Sequence, residues 1–327
     1  MTGDPKSSKM VSESNLTEEN VIMNEAIIQI TDFRKSYGDL VAVDGIGFRV
    51  HQGEIFGLLG PNGSGKTTTL ECLEGLRQPT GGKMSISGID PSRDPGKLSN
   101  LIGVQLQTSS LPDDMTVNES MRFFCAYHHV APRYDLLDRL GLAHKGKARY
   151  AELSTGQKRR LALALAVAYQ PPVLILDEPT AGLDVASRTE LHSMMQELKE
   201  DNTAILMATH DMAEAEKMAD RVAILLEGKI VVEGSPKQLT TTDDGFTKVS
   251  VRSEHSLLQQ NNVNFPAVQR KTVKEDYAIY FSTDPGPTVT AILDHLAIKQ
   301  DTLIDLRVER PSLEERFLEI TNTGGQK

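Results

Sequence analysis

Residues 55–68 read IFGLLGPNGSGKTT, and the fold of the chain turns on how this stretch is understood. Residues 55–59 are a short apolar run of strand length, and residues 60–68 then fit the pattern G-x-x-x-x-G-K-[ST]. In such a loop the glycines let backbone N–H groups converge on phosphate oxygens, the lysine reaches the outer phosphates, and the following hydroxyl reaches Mg²⁺. Here those roles fall to Lys66 and Thr67. A helix predicted over residues 66–76 adds the positive end of its dipole to the same point. The alternative is a glycine-rich turn with no ligand. It has to be weighed against what the rest of the chain supplies.

Working outward, residues 173–184 read VLILDEPTAGLD. A continuous apolar run at 173–176, a helical segment at 185–200 and a second apolar run at 204–207 predict strand, helix, strand, and hence a buried parallel sheet. Asp177 and Glu178 then stand at the carboxyl end of a strand, where open α/β sheets bind ligands. Asp177 suits the shell of a Mg²⁺ ion, and Glu178 suits polarising a water for attack on a γ-phosphate.

The remaining segments predict an α/β core with additions. Apolar runs at 27–30 and 41–43, the alternation Ile46, Phe48, Val50, and a run at 84–87 predict a β-rich part near the N-terminus. From Gly103 to Tyr150 the pattern reads as helical. Thr116 with Glu119, and Ser154 with Gln157, form capping-box signatures, and a helical insert is expected at about 107–155. Residues 221–226 and 229–232 predict a hairpin through Glu227 and Gly228. The polar run 240–245 marks a boundary. Beyond it, over 246–327, strands at 246–251, 277–281 and 303–308 and helices at 288–297 and 312–320 predict a small α+β domain without a catalytic constellation.

Composition narrows the setting. A chain of 327 residues accommodates two domains, and 45 acidic against 35 basic residues, net −10, argues against a nucleic-acid partner held by a basic surface. Cys72 and Cys125 make no disulfide framework, which points to a reducing cytoplasm. No 18-residue window is apolar throughout, since the greasiest stretch, 161–176, is broken by Gln170, Pro171 and Pro172. Residues 1–26 are polar, lack the apolar core of a secretory signal, and read as a disordered tail.

Four more pieces stand in order along the chain: Tyr37 before the first glycine turn, Gln107 before the helical insert, LSTGQ at 153–157, and ATHD at 208–211. With the loop and the two carboxylates, the set resembles the nucleotide-binding subunit of an ABC transporter over residues 27–240. The resemblance implies a P-loop ATPase core, with an N-terminal antiparallel β subdomain, that binds ATP and Mg²⁺. It makes Tyr37 the aromatic that stacks on adenine and makes Gly60, Pro61, Asn62, Gly63, Ser64, Gly65, Lys66, Thr67 and Thr68 the Walker A loop. Gln107, with Gln105 as a nearby rival, becomes the glutamine that touches the metal and couples to the membrane subunit. Ser154, Thr155, Gly156 and Gln157 resemble the signature, although Thr155 stands where the family usually has glycine. Asp177 corresponds to the Walker B aspartate, Glu178 to the catalytic glutamate, residues 181–184 to the D-loop, and His210 to the switch histidine at the γ-phosphate.

The same resemblance implies two ATP molecules sandwiched in a homodimer or heterodimer, at the cytoplasmic face of the membrane. Hydrolysis there drives a separate integral permease. EGKIVVEGSPKQL at 227–239, PSLEERFLEIT at 311–321 and EGL at 74–76 are similar to bacterial ABC-2 type exporter ATPases of the daunorubicin-resistance-like group, which implies export of an antibiotic or other small molecule. A P-loop kinase or GTPase shares the loop but has no use for LSTGQ or the pairing of Glu178 with His210. A non-transport ABC ATPase of translation or DNA repair usually carries two cassettes or long coiled coils, neither of which is written here. An ATP-binding regulatory subunit has no need to keep both Glu178 and His210.

Overall fold

The computed structural model describes residues 26–106, 111–240, 246–260 and 263–324. Of the expected N-terminal tail at 1–26 all but Ala26, of the boundary run at 240–245 all but Thr240, and Gln107 lie outside them.

The chain opens with Ala26–Tyr37 (β1) and Leu40–His51 (β2), an antiparallel pair whose alternating residues Ile28, Ile30, Phe48 and Val50 are buried. Ile55–Leu59 (β3) is buried along its whole length and runs into the glycine loop, after which Lys66–Leu73 (α1) begins. That helix ends short of the predicted residue 76, because Gly75 turns left-handed at φ 75° and its N–H bonds to Cys72 O. Gly81–Ile86 (β4) pairs with β1 and completes a three-stranded antiparallel sheet, the antiparallel β subdomain that the resemblance implies. Pro95–Leu98 (α2) leads to Ile102–Gln105 (β5).

The strand β5 corrects the expectation that the helical pattern begins at Gly103. Residues 102–105 pair in parallel with Val173–Asp177, the strand that carries the carboxylates. Four residues are too few to show a period, and Gly103 hides the strand further. It is glycine because a Cβ there would meet Ala166 O at 2.2 Å and Pro171 Cγ at 2.8 Å.

Val117–Tyr127 (α3), capped by Thr116, and Tyr134–Arg139 (α4) form the helical insert. Thr155–Val167 (α5), capped by Ser154, leads to Val173–Asp177 (β6), and Val185–Glu200 (α6) leads to Ala204–Thr209 (β7). Met212–Met218 (α7) is followed by the hairpin of Arg221–Leu226 (β8) and Lys229–Gly234 (β9), then Pro236–Thr240 (α8). The C-terminal part contains Thr247–Ser253 (β10), Leu257–Gln260 (α9), Val268–Lys274 (β11), Tyr277–Ser282 (β12), Pro285–Lys299 (α10), Leu303–Glu309 (β13) and Leu313–Gly324 (α11). Strand β11 escapes sequence reading because it is an edge strand whose side chains are mostly exposed, so burial imprints no alternation.

Two compact bodies result. The first comprises residues up to Ile55 together with 67–207 and holds β1, β2, β4 and the adjacent strands β5, β6 and β7; every residue of β6 and β7 is buried. Helix α5 packs on this sheet with Leu161, Leu163 and Leu165 buried. The second comprises residues 56–66 and 208–327. Within it β3 pairs in parallel with β8, which pairs antiparallel with β9. A separate antiparallel sheet ordered β11-β12-β10-β13 packs Val249, Val251, Tyr280, Phe265 and Ile292 into its own core. Cys72 and Cys125 are both buried thiols, and burial pushes Cys72 up to about 11, so both serve packing.

Gly103→Ala is expected to destabilise the first body by roughly 2 kcal/mol, since the backbone oxygen of Ala166 cannot move without distorting α5. Urea denaturation measures this, and an unchanged midpoint contradicts the packing described.

Candidate functional site

The glycine loop is built by backbone conformations that side chains resist. Gly60, Gly63 and Gly65 have φ of 153°, 81° and 108°. A Cβ at Gly60 would lie 2.2 Å from Leu225 O and 2.7 Å from Ser64 Oγ, so the loop closes tightly on β8. At Gly63, by contrast, nothing stands within 4 Å of the added atom. Ser64 N–H donates to Pro61 O at 3.2 Å, and Gly228 N–H donates to Ser64 O at 3.1 Å, which ties the loop to the β8–β9 turn. Lys66 is buried, and its Nζ donates to Gly60 O at 2.7 Å and Pro61 O at 3.1 Å. These two carbonyls hold the ammonium ion against the loop, where a cation suits a phosphate.

Thr67, in the first turn of α1, donates from Oγ1 to Asp177 Oδ2 at 3.0 Å. Asp177 is 4% exposed, at the end of a strand whose other residues are fully buried, so a hydroxyl partner offsets part of its desolvation. A hydroxyl and a carboxylate side by side are hard oxygen donors, and this pair fits a Mg²⁺ ion. The next residue, Glu178, is buried and holds φ of 51°, an unusual conformation for glutamate that costs on the order of 1 kcal/mol. Two bonds fix its carbonyl: Arg159 Nη1 donates to it at 2.9 Å and Ala181 N–H at 3.2 Å. Sequence reading missed Arg159, which looks like any basic residue one helical turn inside α5. Gln105 lies opposite Leu176 in the β5–β6 register, is 2% exposed, and has its Oε1 without a protein partner.

Ser154 caps α5 with a complete capping box: its N–H donates to Gln157 Oε1 at 2.9 Å, and its Oγ accepts from Gln157 N–H at 3.3 Å. Ser154 and Thr155 are exposed, so the N-terminal turn of the helix opens outward. Gly156 lies against the D-loop turn, where an added Cβ would be 3.5 Å from Gly182 O, and Asp184 closes that turn as the N-cap of α6. Thr155 therefore adds its side chain on the open face and leaves the glycine position intact. The Tyr37 ring, 39% exposed, has Lys35 Nζ 4.8 Å and Arg77 Cζ 5.6 Å from its centroid. His210 is exposed at the end of β7. Thr209 and Asp211 brace the backbone around it, with Asp211 N–H donating to Thr209 Oγ1 at 3.0 Å and Glu214 N–H to Asp211 Oδ1 at 2.9 Å.

Comparison with known proteins agrees with this geometry. The family model for ABC transporters matches residues 43–181. A Nod factor export ATP-binding protein I from Paraburkholderia xenovorans (strain LB400) is 36% identical over 307 residues, which is 91% of this chain and 98% of the relative. The chain belongs to the ATP-binding proteins of ABC transporters. A solved ATP-binding subunit of an ABC transporter is 27% identical, with a TM-score of 0.62 over 65% of this chain and 91% of its own. A dimeric bacterial ABC transporter cassette is 26% identical, with a TM-score of 0.58 over 64% and 98%. The ABC cassette fold, with its antiparallel β subdomain and mixed sheet, is thereby established for this chain.

This ABC ATP-binding chain also carries a groove that the sequence does not announce. A cavity of about 360 Å³ is walled by Leu106, Leu111, Phe124, His128, Tyr169 and Glu74. The His128 and Tyr169 rings stack at 3.5 Å and 7°, the tyrosine hydroxyl donates to Ile102 O, and burial lowers the His128 pKa. Glu74 Oε2 is buried without a hydrogen-bond partner. Burial, with smaller contributions from Asp177 and Glu71, pushes this acid from 4.5 up to about 8.

A raised acid favours the folded chain while protonated, and that stability is lost as pH climbs from about 4.5 to about 8. Glu74→Gln is therefore expected to match the parent protein near pH 5 and to exceed it in stability by on the order of 2 kcal/mol at pH 8.5. Urea midpoints at the two pH values test this. A difference that does not change with pH contradicts it.

Proposed function

We propose that the chain is the ATP-binding and ATP-hydrolysing subunit of an exporter, working with a separate integral membrane permease of the ABC-2 type. The observation that carries this reading is the bond between Thr67 and Asp177 at 3.0 Å, which joins the residue after the loop lysine to the strand-end carboxylate 110 positions later. The export assignment draws its support from the name of the Paraburkholderia relative and from the C-terminal sequence pattern.

In this reading Lys66 and the loop amides bind the β- and γ-phosphates of ATP. Thr67, Asp177 and Gln107 hold Mg²⁺, which when bound neutralises phosphate charge. Glu178, held in its strained backbone conformation by Arg159, orients and deprotonates the attacking water, and His210 contacts the γ-phosphate. Tyr37 stacks on adenine. The outward-facing turn at Ser154, Thr155, Gly156 and Gln157 is offered to the ATP of a second ATPase subunit, identical or related, so turnover requires a dimer. The groove at Glu74 and Phe124 takes a segment of the permease, whose hydrogen-bond donor or basic side chain satisfies the buried carboxyl. No helix among the described residues is long and apolar enough to cross a membrane, and the permease holds the subunit at the membrane surface.

Glu178→Gln is expected to retain MgATP binding, lose at least about 100-fold in turnover and accumulate as a dimer with ATP. Phosphate release and gel filtration report this, and undiminished hydrolysis contradicts the assignment. Lys66→Ala is expected to weaken MgATP binding by about 10- to 100-fold in equilibrium dialysis. Purification from membranes should bring down a polytopic membrane protein; recovery of soluble translation or repair factors instead contradicts transport.

A further inference from the structure

Helix α11 enters the second body through an unusually well-fastened first turn. Leu313 is fully buried, and its N–H donates to Glu216 Oε2 on α7 at 3.1 Å. Ser312 and Glu315 complete a capping box, with Ser312 N–H to Glu315 Oε2 at 3.1 Å and Glu315 N–H to Ser312 Oγ at 3.2 Å. Glu315 also accepts from Lys248 Nζ on β10 at 2.6 Å. One turn of helix thus grips both α7, which follows His210, and the C-terminal sheet.

Glu314 in that turn and Phe317 and Leu318 after it fall at i, i+3 and i+4 and share one face of the helix. This face and the phosphate-loop residues Gly60, Pro61 and Asn62, together with His210, line one cavity of about 470 Å³. Glu314 is exposed, Phe317 is half-buried and Leu318 is 51% exposed. Asp211, the other acid on this cavity, is engaged as the N-cap of α7.

We propose that this face of α11 is a wall of the nucleotide site contributed by the C-terminal domain, with Glu314 sensing phosphate charge. The proposal rests on the reading of the loop as an ATP site. MgATP carries about two negative charges, and a carboxylate across the cavity repels them, so nucleotide entry displaces the Glu314 face. Because the same first turn holds Lys248, the displacement is passed to β10. Occupancy of the phosphate loop is thereby reported to the C-terminal sheet within one chain. Repulsion across roughly 10 Å of water corresponds to about threefold in affinity at low ionic strength and fades as salt screens it.

The chain contains no tryptophan, so Phe317→Trp introduces a single fluorophore on this face, and Leu318→Trp is a second reporter should the first disturb packing. On titration with MgATP the emission is expected to shift and to saturate at the dissociation constant that equilibrium dialysis with radiolabelled ATP gives for the same variant. Glu314→Gln should bind MgATP about threefold more tightly at low salt, Glu314→Lys about tenfold, and both gains should shrink in high salt. Saturable ATP binding with silent tryptophans, or an affinity unmoved by Glu314→Lys at low salt, overturns the proposal and leaves the ATP site standing. Absence of saturable binding in dialysis overturns the ATP site, and the proposal with it.

Discussion

A carboxylate placed at the end of a fully buried strand is costly unless something meets it, and in this chain the Thr67 hydroxyl does, at 3.0 Å from Asp177. That single contact requires β6 to end level with the first turn of α1, and so sets how the strand and the helix after the loop are positioned in the first body. The parallel pairing of β5 with β6 then places Gln105 opposite Leu176, one residue before the aspartate. Polar groups gather at this strand end because the sheet interior has no place for them.

The loop itself stores conformations that few sequences tolerate. Gly60 approaches Leu225 O so closely that any side chain is excluded, while Glu178 accepts a left-handed backbone although it is not glycine. Strain of this sort persists where surrounding bonds over-determine it. Here Arg159 and the turn at Ala181 clasp the Glu178 carbonyl, so the helix that Ser154 caps also fixes the residue that follows Asp177. The coupling is short, physical and within one body.

The C-terminal part is more than an appended module, because its last helix is fastened to α7 and β10 by the same turn. Its sheet has an independent core around Val249, Tyr280 and Ile292, which gives α11 a firm base from which to face the loop. The 65% coverage by a solved ABC cassette, against 91% by the longer relative, shows that the cassette fold does not require all of this chain.

How much was legible in advance follows from the range of the forces involved. The loop, the strand-end carboxylates and the capping boxes at Thr116 and Ser154 are local patterns, in which neighbouring residues satisfy one another, and the sequence by itself determined them. It also determined the family, since the order of these motifs along the chain is its own evidence. Short or edge strands such as β5 and β11 were not legible, because pairing and burial across the sheet define them rather than any period of their own. Tertiary structure alone decided that Gly103 must be glycine, that Arg159 braces Glu178, that Glu74 is buried in a groove and that Glu314 faces the phosphate loop. Each of these depends on atoms far apart in the chain, brought together only when the sheet and its helices pack.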